Sequence, residues 1–470
     1  MGKILEKIHL PNWLVGVLAL VLLLRIPSFF EPYYYGDEMI YLTLGQGVRQ
    51  GLTLYAQIFD NKPPLLYLTA AIAGNLFWFK VILAFWSLTA VVTFWKLAKG
   101  KVATLIFALA ITLPLLEGNT VNAELFMILP SLLAFYFLLS KTLTPKLLIL
   151  SGALFGIATL FKVPAAFDLP VIIAFWLFTK QANLFKNSVY LALGFAAPIL
   201  ISFIWYFFAG ALPEYVRAAF LQNIGYLGSM KPDINIPFFI RMVAVLVGLA
   251  AIFIFRKKLS GNFILFCVWT LFSLFAVTLS QRPYPHYLIQ VAAPASFLLA
   301  MFFKQNSREQ AFAVIPLTLI FFIPFFYKFY NYDTLAYYQR FVNFAAGKTN
   351  KDAYFKSFSA ETPRNYEIAN FLATSSHTNE RVFIWDSDAP TIYALSRRLS
   401  PIKYTVPYHV DDYSNKKEVL DDLSQNPPRF IVLTDKFPLR EIMDLIRQKY
   451  ILIAQIDDAN IYSKISGVAF

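Results

Sequence analysis

Long apolar runs alternate with short polar connections through the first 330 residues. The runs occupy 12–30, 80–97, 102–115, 124–140, 147–163, 166–179, 187–209, 237–255, 261–279, 287–303 and 311–327. A bilayer core is crossed by roughly 20 apolar residues, and by fewer where a helix is enclosed by others. The pattern therefore predicts a polytopic α-helical membrane protein of about eleven transmembrane helices. Basic residues mark alternate ends of successive runs: Lys3 and Lys7; Lys96, Lys99 and Lys101; Lys141 and Lys146; Lys180 and Lys186; Arg256, Lys257 and Lys258; Lys304 and Arg308. The positive-inside rule makes that face cytoplasmic. It predicts a cytoplasmic N-terminus and an extracytoplasmic C-terminal region. No small-residue cleavage pattern follows the first run, which continues as PSFFEPYYY, so a retained helix is expected.

After Lys328 the pattern changes. Helical periods at 363–375, 389–398, 416–425 and 438–450 alternate with strand-like runs at 381–386 and 429–434, and a closing hairpin is expected over 451–456 and 460–465. This predicts a small α/β domain over 331–470, following a membrane domain over 1–330. No glycine-rich phosphate loop follows its strands, so nucleotide binding has no support there. Trp385, Asp386, Asp388 and Tyr393 gather at a strand end without forming an ordered catalytic set.

Composition agrees with the pattern. The 470 residues are 58% apolar, with a mean hydropathy of +0.56. The net charge of +13 belongs to cytoplasmic loops facing anionic lipid headgroups and gives no support to a nucleic-acid partner. Cys267 is the single cysteine, which excludes an intramolecular disulfide and a thiolate metal cluster.

The stretch 31–79 differs from both domains. It is too polar to cross a bilayer and too apolar for a solvated loop. Ile40, Leu44 and Val48 fall on one helical face, so interfacial amphipathic helices are expected. Asp37 and Glu38 stand at its head. They read as a helix cap, with Asp37 as N-cap, or as a general base and its neighbour, or as metal ligands. Asp60, Asn61, Lys62, Pro63 and Pro64 stand at its tail. Lys62 reads as a snorkelling anchor or as a point charge for a phosphate.

Three other external segments carry candidate chemistry. Glu117, Asn119, Asn122 and Glu124 are loop or helix-start groups, or part of an acidic cluster. Arg282, His286 and Tyr287 are an aromatic belt with an incidental histidine, or phosphate- or metal-binding groups. Glu214, Tyr215, Arg217, Gln222, Asn223, Tyr226 and Lys231 mix rings with amides in a way that suits sugar binding or a polar interfacial helix. Lys162 is expected to pair with nearby Asp168 or to serve a site, and Lys80 to snorkel.

Three of these elements carry a resemblance: GDE at 36–38, DNKPPLLYLTA at 60–70 and RPYPHYLIQVAAP at 282–294. Residues 10–300 resemble the multi-spanning, polyprenyl-phosphate-dependent glycosyltransferases of GT-C fold. The likeness is greatest to the bacterial branch related to protein O-mannosyltransferases and aminoarabinose transferases. The resemblance implies transfer of a monosaccharide from a polyprenyl phosphate to a hydroxyl of a protein, lipid or glycan at the outer face of the cytoplasmic membrane. Asp37 would be the base, with Glu38 beside it. Lys62, Arg282, His286 and Lys162 would meet the donor phosphate. Tyr35, Asp60, Glu117, Glu124, Tyr226 and Tyr287 would contact substrate. A divalent metal is in question because Asn61 stands where relatives often carry an acid before the lysine. The same departure puts lipid A as acceptor in doubt. The rival reading, a transporter or flippase of lipid-linked sugars, calls for charges deep in the spans and two matching halves, and neither is evident.

Overall fold

A computed structural model describes residues 10–140, 142–222, 237–280, 282–303, 307–434, 436 and 439–465. Lys3, Lys7, Lys141, Asn223, Tyr226, Lys231 and Lys304, invoked above, lie outside the described residues. By packing, the chain divides into two units. One holds 1–28, 80–205 and 220–335; the other holds 29–79, 206–219 and 336–470.

Among the described residues, each of the eleven apolar runs contains one helix. These are α1 (Asn12–Arg25), α4 (Leu76–Ala98), α5 (Lys101–Ala110), α6 (Ala123–Ser140), α7 (Pro145–Phe161), α8 (Asp168–Thr179), α9 (Leu184–Phe208), α11 (Phe238–Phe255), α12 (Gly261–Val277), α13 (Ile289–Met301) and α14 (Ser307–Phe326). Among the described residues, five helical segments are long and apolar enough to cross a membrane, and the others are shorter. The third helix stops earlier than expected, since Pro114 cannot continue it and instead opens a short turn at Pro114–Leu116.

The helical unit is built around α12 and α13, which are buried over most of their length. Phe266 stacks on Phe297 with ring centroids 3.9 Å apart, and Phe135 of α6 reaches Trp269 at 4.2 Å. Close approach needs small residues. A Cβ on Gly152 of α7 would stand 2.1 Å from the Leu191 carbonyl of α9. Cys267 is buried, as expected of a small apolar side chain.

Two charges in this unit do not behave as expected. Lys80 does not snorkel; it is 1% exposed and its ammonium donates to the Asn119 carbonyl at 2.9 Å. Lys162 pairs with Glu124 instead of Asp168, whose carboxylate accepts from Trp269 Nε1 at 3.0 Å. Lys162 caps the end of α7 in an extended conformation.

The second unit contains the C-terminal sheet. Its strands are β1 (Val382–Trp385), β2 (Phe430–Thr434), β3 (Tyr450–Ile456) and β4 (Ala459–Lys464), in the order β1-β2-β4-β3. β1 and β2 are parallel, and both are fully buried runs of mainly β-branched and aromatic residues. β3 and β4 form the expected hairpin. Helices α17 (Thr362–Ser375), α18 (Ala389–Ser396) and α20 (Lys416–Gln425) fall where the periodicity puts them, and α21 (Met443–Lys449) covers the second half of the expected 438–450, after a tighter turn at Arg440–Ile442. Ile368, Leu372, Ile384, Ile392, Val432 and Ile461 meet in its core. The sequence reading does not anticipate three helices: α15 (Thr334–Ala345), α16 (Lys351–Lys356) and α19 (Pro407–Tyr413).

The same unit includes α2 (Gly36–Arg49), α3 (Leu65–Ala73) and the short α10 (Leu212–Val216). α2 is not a surface helix. Residues from Glu38 to Gly45 are buried on every side. A Cβ on Gly45 would lie 2.7 Å from the Ala71 amide of α3, so glycine sets that approach. On another side, Thr43 donates to the Pro390 carbonyl of α18 at 3.1 Å.

Candidate functional site

Asp37 owes its position to the start of α2. Tyr35, extended at φ −82°, caps the helix, which corrects the expectation that Asp37 does so. Asp37 and Glu38 fall in the first turn, where unpaired amides favour negative charge. The two then part. Glu38 is fully buried, while the Asp37 side chain is 31% exposed. Tyr41, one turn on, donates its hydroxyl to Asp37 Oδ2 at 2.8 Å.

The turn from Asp60 to Lys62 is held from within. Asp60 Oδ1 accepts the Asn61 amide at 2.7 Å, and Oδ2 accepts the Tyr67 hydroxyl at 2.8 Å. That hydroxyl also accepts the Lys62 amide at 3.2 Å. Burial, and then the Asp60 charge, hold the Tyr67 phenol well above its usual range, so it stays protonated as a donor. Tyr55, in a left-handed conformation at φ 74°, donates its hydroxyl to the Lys62 carbonyl at 2.9 Å and packs on Tyr206 and Tyr215. Pro64 caps α3 without a side-chain bond, as suits a helix start.

The two ends of the loop thus meet. Lys62 Nζ lies 3.8 Å from Asp37 Oδ2 and 3.6 Å from Asp60 Oδ2, and 5.1 Å from the centre of the Tyr41 ring. The two carboxylates already share this ammonium, which neutralises charge that would attract a divalent ion. Among the described residues, no group of three or more His, Cys, Asp or Glu side chains is placed to hold a metal ion. The residues therefore do not fit the metal left open by the sequence.

The helical unit brings a second set together. Glu117 takes a left-handed conformation at φ 55° after Pro114–Leu116, and its carbonyl accepts from Thr120 and Asn122. Asn122 caps the start of α6 through the Leu125 amide, and this places Glu124 in the first turn. His286, on the turn Pro285–Leu288, contacts Glu117 through Nδ1 and stands 3.8 Å from Glu124 through Nε2. Glu124 also holds Lys162, whose ammonium sits 4.1 Å above the Tyr287 ring. Arg282 lies half-buried before that turn.

The expected residues therefore form two clusters. Asp37, Asp60 and Lys62, with Tyr35 and Glu38 on the same loop, lie in one unit. Glu117, Glu124, Lys162, His286 and Tyr287 lie in the other. Tyr41, Tyr55, Tyr67, His409 and Tyr413 were missed by the sequence reading. For the first three, the signal was the density of tyrosines in 33–67. For the last two, it was Pro407, a helix-opening residue before YHVDDY.

Comparison with known proteins gives the fold its class. ArnT from Cupriavidus metallidurans, in a crystal structure with undecaprenyl phosphate bound, is similar over 98% of this chain and 99% of its own, with a TM-score of 0.59 and 14% identity. Its apo structure covers 96% and 98%, with a TM-score of 0.58 and 14% identity. The chain has this GT-C membrane fold, with a small C-terminal sheet domain. The apo oligosaccharyltransferase of Archaeoglobus fulgidus is similar over 90% of this chain and 70% of its own, with a TM-score of 0.45 and 13% identity. Residues 363–464 match a family described as the C-terminal domain of the competence-induced protein Ccs4. No curated protein matches the chain.

Proposed function

We propose that this protein is a membrane glycosyltransferase that moves a monosaccharide from a polyprenyl phosphate to a hydroxyl acceptor. It acts at the outer face of the cytoplasmic membrane, with its C-terminal domain on that side. The observation that carries the reading is the Lys62 ammonium held between Asp37 and Asp60, on a fold shared with a protein crystallised with undecaprenyl phosphate.

The chemistry follows from that arrangement. The acceptor oxygen attacks the anomeric carbon and passes its proton to Asp37. The bond from that carbon to the phosphate oxygen breaks, and its electron pair leaves with polyprenyl phosphate. The leaving group is already a stable anion, so the reaction calls for positive charge at the phosphate and no strong acid. Lys62 supplies it. A phosphate that draws the ammonium away from Asp37 also leaves that carboxylate available as the base. Direct displacement inverts the anomeric centre. Arg282, His286 and Lys162 are the further cationic candidates, and Glu117, Glu124 and Tyr287 contact substrate in this reading.

The test is transfer by the purified protein in lipid, with a panel of radiolabelled polyprenyl-phosphate sugars and envelope extract as acceptor. Wild type is expected to consume one donor and Asp37→Asn none. Turnover retained by Asp37→Asn would remove the base assignment. Labelled lipid crossing the bilayer with no donor consumed would replace the reading with a flippase.

A further inference from the structure

The turn that carries Lys62 is not held by its own loop alone. The Phe59 amide donates to the Lys403 carbonyl at 3.0 Å. The Phe59 ring is boxed by Tyr404, His409 and Tyr413, with centroids 5.1, 5.5 and 5.1 Å away. Asn61 Nδ2 donates to the Tyr413 hydroxyl at 2.9 Å, and His409 Nε2 stands 3.6 Å from Asp60 Oδ1. All four gripping residues come from 403–413, a segment more than 300 residues away along the chain that ends in α19.

His409 is an unexpected residue for plain packing. It is 2% exposed, and its Nδ1 has no hydrogen-bond partner among the described residues. A buried polar atom without a partner is costly, and an apolar ring of similar size would avoid that cost. The imidazole packs against Asp60, which is 1% exposed, and a drier environment strengthens the pull of Asp60 on the Lys62 ammonium. At 3.6 Å the contact is longer than a hydrogen bond, so the effect is one of enclosure. Tyr413 acts differently, by fixing the Asn61 side chain next to Lys62.

We propose that His409 and Tyr413 are positioning residues, through which the C-terminal domain sets the Lys62 ammonium against Asp37. The proposal rests on the roles given above to Lys62 and Asp37. It makes residues 403–413 part of the donor-binding machinery. A lysine side chain has four rotatable carbons, and its head goes where fixed carboxylates hold it. Here those carboxylates hold it only while the turn keeps its register.

The test uses the full chain in lipid nanodiscs with three variants, Tyr413→Phe, His409→Phe and Tyr450→Phe. Tyr450 is a control in the same domain: it is buried and its hydroxyl donates to the Pro428 carbonyl at 2.9 Å. Two quantities are read, amide hydrogen exchange over 59–62 and the split of donor KM against kcat. Tyr413→Phe and His409→Phe are expected to speed exchange at 59–62 and to raise donor KM about tenfold, with kcat within about a factor of two. Tyr450→Phe is expected to lower Tm and change neither. Wild-type exchange at 59–62 in both site variants overturns the proposal, as does an equal rise in KM with Tyr450→Phe. If His409→Phe does not fold, Tyr413→Phe, which removes a single oxygen, decides. If wild type consumes no polyprenyl donor, the functional reading fails, and the exchange data alone still decide whether 403–413 holds the turn.

Discussion

The Tyr67 hydroxyl donates to Asp60 at 2.8 Å and, through the same oxygen, accepts the Lys62 amide. One buried phenol therefore ties the carboxylate to the backbone of the residue it attracts. Tyr67→Phe keeps the ring and leaves Asp60 short of a donor. A buried acceptor stripped of its partner costs about 1–3 kcal/mol. Thermal unfolding in lipid should show that loss, and donor use should fall with it. Unchanged Tm and donor KM together would show that the bond does not hold the turn.

Lys62 is expected to depend on charge and reach together. Lys62→Ala removes both and should lower kcat/KM for the donor by about a hundredfold or more, the scale of one lost charge-stabilising group. Lys62→Arg keeps the charge on a different geometry and should recover only part of it. Donor binding measured apart from turnover separates the two effects. If Lys62→Ala binds donor as wild type does, Lys62 is an interfacial anchor.

Lys162 and Glu124 form a largely buried pair. Removing one partner of such a pair strands the other, at a cost of about 3–5 kcal/mol. Glu124→Gln alone should therefore lower Tm more than the double variant Glu124→Gln with Lys162→Met. A double variant less stable than the single one would mean that Lys162 is held by something other than Glu124.

His409 gives a pH signature. Burial pushes its imidazole down to about 4, against the opposing influence of Asp60 and Asp37 and with the help of Lys62. The unfolded chain takes up that proton near pH 6.5, at about the ordinary histidine value. The contribution to stability is thus complete above about pH 6.5 and is lost as pH falls from there through about 4. Between pH 7 and 5, wild type should lose more thermal stability than His409→Gln. Parallel pH profiles would show that His409 is not held neutral.

Gly45→Ala offers a test with an informative sign. In a helix interior, alanine is favoured over glycine by about 1 kcal/mol. Here the new Cβ would meet the Ala71 amide at 2.7 Å and the Ala70 carbonyl carbon at 2.8 Å. Backbone atoms do not swing aside, so overpacking should win, with a net loss of about 1–3 kcal/mol. A rise in Tm would mean that α2 and α3 are free to separate.

The helices and strands were legible because their signals are local. Apolar length located the membrane helices, as for 261–279, which became α12. Buried β-branched runs located β1 and β2. Failures came where one short signal had to outweigh others. The stretch around Pro407 has no marked helical period, yet it forms α19 and carries His409. Lys162 has Asp168 close by in sequence, yet its partner is Glu124, 38 residues away.

What the sequence determined by itself was the class of the chain and a candidate for its reactive loop. Hydropathy and motif spacing are properties of neighbours, and neighbours are what a sequence records. Tertiary structure alone decided which carboxylate stays accessible. Asp37 and Glu38 are adjacent and chemically alike, but a helix turns about 100° per residue. One side chain therefore points out and the other into the protein. It also decided that Lys62 sits between Asp37 and Asp60 and that His409 packs against Asp60. Electrostatic and packing energies depend on distance through space, and chain folding sets that distance independently of separation along the sequence.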